Sequence, residues 1–137
     1  WEGTDYLHTK LAEMAPIDVV VAFSQGSCIT TCLVGKMMSE KLDIPWRLNV
    51  FFHGGQIDDP KYNLFPGQSA LPTIKVTHEG GDMYFAEGEP SLKPWYSQLL
   101  EMKHQDGHSI PLTEPRAGEI FEKVAYEILR HCGLVES

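Results

Sequence analysis

The segment Val19-Val20-Val21-Ala22-Phe23-Ser24-Gln25-Gly26 constrains this chain more than any other stretch. Three consecutive valines are stiff at χ1 and pack well on a pleated surface, so they favour a strand over a helix. The β-branched run from Ile17 to Phe23 follows Pro16 and reads as a buried strand of a parallel sheet. Gln25-Gly26-Ser27 ends that run abruptly. From there to Lys41, Ile29, Leu33 and Met37 recur at helical spacing. A strand that turns directly into a helix around small-Xaa-Ser-Xaa-Gly is the nucleophile-elbow pattern, with Ala22 where the pattern has Gly. The small residues are a steric requirement, because the serine sits in a strained turn. That turn places the Ser24 hydroxyl at the carboxyl end of the strand. It also aims the Gln25 N–H, at the helix N-terminus, toward a developing oxyanion.

The remaining chain alternates in the same way. Leu7, Leu11 and Met14 predict a helix over 4–14. Strands are predicted over 47–52, 72–77 and 99–104, a helix over 91–98, and long loops over 54–71 and 79–89. Loops of that length are often functional. Ile120, Val124 and Ile128 form one stripe of a last helix, with Phe121, Ala125, Leu129 and Cys132 beside it. Pro115 falls near its first turn and Gly133 at its C-cap. Strands alternating with helices imply an α/β fold, one domain over 1–137, with a parallel sheet and flanking helices. The first strand is too apolar for an exposed edge and reads as an interior strand with a neighbour outside this sequence.

Composition excludes several function classes. With 11 basic against 19 acidic residues, the net charge is −8, which disfavours binding to a nucleic-acid backbone. No apolar run approaches the ~20 residues of a membrane span. Cys28, Cys32 and Cys132 are too few, and odd in number, for a secreted disulfide framework. Cys28 and Cys32 share a helix face, but no second Cys/His pair has zinc-site spacing, so buried thiols are the expectation. A soluble, cytoplasmic protein fits these properties.

A serine needs a base, and in an elbow fold the chain order is Ser, acid, His. His108 lies in the Gly-flanked turn after the fourth strand and is the first choice for the base. His104, at the end of that strand, is the runner-up with packing as its expected role; His8, His53, His78 and His131 follow. The acid belongs after the third strand, where Asp82 is placed to fix the His108 tautomer, with Glu79 as its rival. His53-Gly54-Gly55 resembles an oxyanion loop, but it follows Ser24 in the chain, so it reads as a strand-end turn near the site. Phe65, Met83, Tyr84 and Trp95 lie in or beside these loops and could line an acyl pocket or pack in the core.

At these residues the chain resembles the FSH serine hydrolases, also known as FSH1-domain or ovarian-cancer-gene-2-like α/β-hydrolases. Phe23-Ser24-Gln25-Gly26-Ser27 is similar to their elbow. Phe52-His53-Gly54-Gly55 is similar to their strand with a Gly-rich end, and Leu71-Pro72-Thr73-Ile74-Lys75-Val76 to the strand leading to the acid. His104-Gln105-Asp106-Gly107-His108-Ser109-Ile110-Pro111 is similar to their His-x-x-Gly-His-x-x-Pro ending. The resemblance implies an α/β-hydrolase fold, hydrolysis of a small-molecule carboxylic ester, no cofactor, and a triad of Ser24, Asp82 and His108. It also implies that the early strands and the second oxyanion donor, carried by the family's N-terminal half, are not on these 137 residues. Ala22 and a slightly longer acid loop also fit a hydrolase-like binding module with impaired catalysis.

Overall fold

The computed structural model describes residues 1–80 and 89–135. Its elements run α1 (Glu2–Met14), β1 (Val19–Phe23), α2 (Gln25–Ser39), β2 (Leu48–Phe52), β3 (Thr73–His78), β4 (Leu99–His104) and α3 (Arg116–His131), with a 3-10 turn at Pro60–Tyr62. The four strands form one sheet in the order β1-β2-β3-β4, all parallel. The expected α/β architecture, a parallel sheet with flanking helices, is present.

Two cores lie on opposite faces of the sheet. On one, Leu33, Val34 and Met37 of α2 pack with Val20, Phe51, Trp46, Leu92 and Tyr96, and Leu7 and Leu11 of α1 close the edge. On the other, Ile120 and Val124 of α3 pack on Leu48, Val50, Phe52, Ile74, Val76 and Met102. β2 shows why its sequence has almost no polar residues. Its even positions face α3, Phe51 faces α2, and all five residues are buried. Each such side chain contributes about 1.5–3 kcal/mol by leaving water. Asn49, the polar exception, is satisfied by the Trp46 indole N–H at 2.8 Å and by the Thr73 hydroxyl at 3.3 Å.

β1 stands at one edge, and among the described residues it pairs only with β2. Val21 and Phe23, on the side of the sheet that α3 covers elsewhere, are 61% and 42% exposed. α3 follows the predicted stripe, and Gly133 (φ 73°) ends it, with Leu134 N–H returning to the Leu129 carbonyl at 2.8 Å. Its neighbouring row is less covered than the sequence suggests, since Phe121 and Leu129 are exposed.

Residues 91–98 do not form the predicted helix. Only one turn forms, closed by Tyr96 N–H to the Leu92 carbonyl at 3.0 Å. The chain then pairs with the segment before β3, with Ser69 N–H to the Trp95 carbonyl at 2.8 Å and Ser97 N–H to the Ser69 carbonyl at 3.0 Å. Pro94 supplies no N–H to a helix. Leu92 and Tyr96 are both anchored in the core, so tertiary contacts override the local pattern. No helix among the described residues is long and apolar enough to cross a membrane.

Candidate active site

The carboxyl ends of β1, β2 and β4 bring Ser24, His53 and His108 together. Ser24 has φ 53° and ψ −114°, a sparsely populated region that costs about 1–3 kcal/mol unless its surroundings enforce it. They do. Its N–H donates to the Phe52 carbonyl at 2.9 Å, and its carbonyl accepts the Ser27 N–H at 3.0 Å at the start of α2. The strained elbow is thus built from the end of β1, the end of β2 and the first turn of α2. Ala22 fits in place of the usual Gly: even a Cβ added at Gly26 would be 3.7 Å from the Ala22 methyl, an ordinary contact. Gln25 is the first residue of α2 and is exposed, so its N–H is one of the first-turn donors that lack an intrahelical partner.

His53, Gly54 and Gly55 have φ of 64°, 74° and 98°, three left-handed residues in succession. The expected strand-end turn is there, and Gly54 packs on the backbone of Ser24, where a Cβ would overlap the Ser24 carbonyl oxygen. Glycine is required by space as well as by φ.

His108 Nε2 stands 2.9 Å from Ser24 Oγ, across 84 residues of chain. The turn that presents it is held by Asp106. The Asp106 carboxylate accepts hydrogen bonds from the Thr113 hydroxyl and from the backbone N–H groups of Leu112 and Thr113. These bonds lower its pKa to about 2. The Ser109 hydroxyl donates to the Asp106 carbonyl at 2.8 Å, and Gly107 takes φ 72°. The His108 ring lies against those of Phe23 (centroids 5.4 Å apart) and His53 (4.6 Å).

Asp82 lies outside the described residues, as do Met83 and Tyr84. Its rival Glu79 is exposed just beyond β3, and its N–H donates to the His104 carbonyl at 2.6 Å. Phe65 packs between Gly35 of α2 and Tyr96, and Trp95 packs against the same core. Cys28 accepts the Gly55 N–H at 3.3 Å, and burial beside Cys28 pushes the Cys32 thiol up. Both are half-buried, and no metal-binding cluster of His, Cys, Asp or Glu occurs among the described residues.

Sequence reasoning missed a buried polar cluster behind the Ser24–His108 pair. His53 Nδ1 is 3.0 Å from Glu89 Oε2, and Gly54 N–H donates to Glu89 Oε1 at 2.6 Å. Burial works to raise the Glu89 carboxyl. The bonds from His53 and Gly54, with Lys75 nearby, outweigh it and hold the group below the usual carboxylate range. Lys75 is itself buried, donates to the Pro90 carbonyl at 2.8 Å, and is pushed down by burial. His104 fills its expected packing role at the end of β4, with Nε2 3.2 Å from His53 Nε2, and burial, then the charge of His53, lower it. Glu89 carries no local signal: it ends a loop without periodicity. The only clue was a histidine at a strand's carboxyl end, where buried side chains demand polar partners.

No curated protein and no solved structure matches the chain. A family model does match, over residues 1–120, and its description is serine hydrolase (FSH1). The match spans all four strands, the elbow serine and the His108 turn, and the chain belongs to the FSH1 serine hydrolase family.

Proposed function

We propose that this protein hydrolyses a small carboxylic ester through an acyl-enzyme on Ser24. The observation that carries the reading is the 2.9 Å contact between Ser24 Oγ and His108 Nε2 at an elbow with positive φ. In the first step the Ser24 hydroxyl attacks the ester carbonyl while its proton passes to His108 Nε2. The Gln25 N–H donates to the oxyanion, and the dipole of α2 favours negative charge there. His108 then protonates the departing alcohol. In the second step it takes a proton from water, which attacks the acyl carbon and releases the acid and Ser24. For Nε2 to accept, the neutral ring carries its hydrogen on Nδ1, and Asp82 is our choice for the carboxylate that holds it. The chemistry asks for no cofactor, and a cytoplasmic setting suits it.

Labelling of the purified protein with a fluorophosphonate tests the assignment. Label should appear on the protein, vanish in Ser24→Ala and fall steeply in His108→Ala. Label that survives Ser24→Ala would sink the reading, and a protein that folds but neither labels nor turns over an aryl ester would favour a non-catalytic binding module. Asp82→Asn should lower turnover by about 10⁴, the cost seen when a triad acid is neutralised. If Glu79→Gln does this instead, the acid is Glu79.

A further inference from the structure

His53 and Glu89 are 0% and 2% exposed at the side chain, an ion-pair geometry enclosed directly behind the reacting groups. Ester hydrolysis as described uses neither. Their hydrogen bonding, however, depends on one proton. The ionised Glu89 carboxylate can only accept, so His53 Nδ1 carries a hydrogen toward Oε2. The other nitrogen, Nε2, has two neighbours among the described residues. One is the Ser109 carbonyl at 2.9 Å, again only an acceptor, so this bond exists only when Nε2 is also protonated and the ring is an imidazolium.

The second neighbour is His104 Nε2 at 3.2 Å. His104 Nδ1 already accepts the Asp106 N–H at 3.0 Å, so an uncharged His104 carries its proton on Nε2. It can donate that proton only to a bare His53 Nε2. The two contacts therefore exclude each other, and the protonation state of His53 selects between them. Ser109 follows His108 directly, so the choice is felt by the turn that presents the base.

We propose that the His53–Glu89 pair is a proton-operated latch on the His108 turn: charged His53 holds the Ser109 carbonyl and positions His108, while neutral His53 accepts from His104 and releases it. His53 is a positioning residue here, and its effect on rate rests on the reading that Ser24 and His108 are the reacting pair. Several titratable groups face the latch. Glu89 is on the segment before Leu92, His104 ends β4, and His108 stacks on the ring at 4.6 Å. Lys75 of β3 acts on Glu89, Asp106 and His78 of β3 act on His104, and Cys28 of α2 holds the next residue but one through the Gly55 N–H. Among the described residues, Glu89 is the carboxylate in direct contact with the His53 ring.

Two measurements test the latch. In protein with ¹⁵N-labelled histidine rings, His53 Nδ1 should stay protonated while Nε2 loses its proton as pH rises, and His104 should shift with the same midpoint. A His53 Nε2 that stays in one state throughout, or a His104 that does not follow it, overturns the proposal. This readout needs no turnover.

The second is fluorophosphonate labelling rate against pH. The wild-type rate should drop about tenfold to a hundredfold as pH rises through that midpoint, the scale of a small misplacement of a catalytic group. Glu89→Gln keeps an acceptor for Gly54 but offers N–H to His53 Nδ1. The neutral ring must then carry its proton on Nε2, so the latch holds without charge and the drop should flatten. A merely structural role would lower stability and leave the profile unmoved, so an unchanged pH step in Glu89→Gln overturns the latch. His53→Gln labelled at the wild-type rate at every pH overturns it as well. If the rings titrate together but Ser24 is never labelled, the latch stands and the ester-hydrolase reading falls.

Discussion

Gly54 sits directly on the peptide of Ser24: a Cβ at position 54 would overlap the Ser24 carbonyl oxygen and stand 2.9 Å from its carbon. The turn after β2 and the nucleophile turn after β1 are therefore one packed unit. Gly54→Ala must move the elbow or distort its own backbone, which has φ 74°. We expect a loss of about 1–3 kcal/mol in unfolding free energy together with loss of fluorophosphonate labelling. Urea unfolding and labelling of the same sample read both. Full labelling in a folded Gly54→Ala protein would show that the contact does not constrain Ser24.

Asp106 makes the His108 turn sensitive to acid. Its folded pKa is about 2, below the ordinary 3.8, because Thr113 and Leu112 donate to its carboxylate. A depressed folded value means stabilisation that is complete above about pH 4 and is lost as pH falls toward 2. Asp106→Asn should flatten this acid limb, measured as unfolding free energy against pH. It should also weaken labelling at neutral pH, since the turn loses its clamp. An acid limb identical to wild type would refute the role.

Ile120 is fully buried between α3 and the sheet. Ile120→Ala should cost about 2–5 kcal/mol, the range for truncating a large aliphatic core side chain. Labelling of the folded fraction should persist, because Ile120 belongs to the core under α3 and is not itself a group proposed to react. Differential scanning calorimetry alongside labelling separates the two effects.

Tyr96 replaces the helix expected at 91–98 with a tertiary anchor: its hydroxyl bonds the Thr31 hydroxyl at 2.9 Å inside the α2 core. Tyr96→Phe leaves the Thr31 oxygen buried without that partner, at a cost of about 1–3 kcal/mol. A change below about 0.5 kcal/mol in thermal or urea unfolding would mean that Thr31 finds another partner.

What the amino-acid sequence determined by itself was periodic or steric. The valine run and the helical stripe after it specify β1 and α2, because burial requires apolar residues at the period of each element. The small residues around Ser24 mark the elbow, because the turn excludes bulk there. Gly107 and the strand before it place His108 at a carboxyl end, where a parallel sheet collects its functional loops. The contact between Ser24 and His108 was an inference from chain order; only the fold put a distance on it.

The tertiary structure alone decided the rest. Residues 91–98 pair with Ser69 instead of continuing as a helix, a long-range contact that no local pattern announces. Glu89, Lys75 and His104 have no periodic signature, since a buried polar residue is placed by its partners and not by its neighbours in sequence. Those partners come from two strands, the turn after β2 and a loop, so the polar cluster behind Ser24 exists only once the sheet has formed.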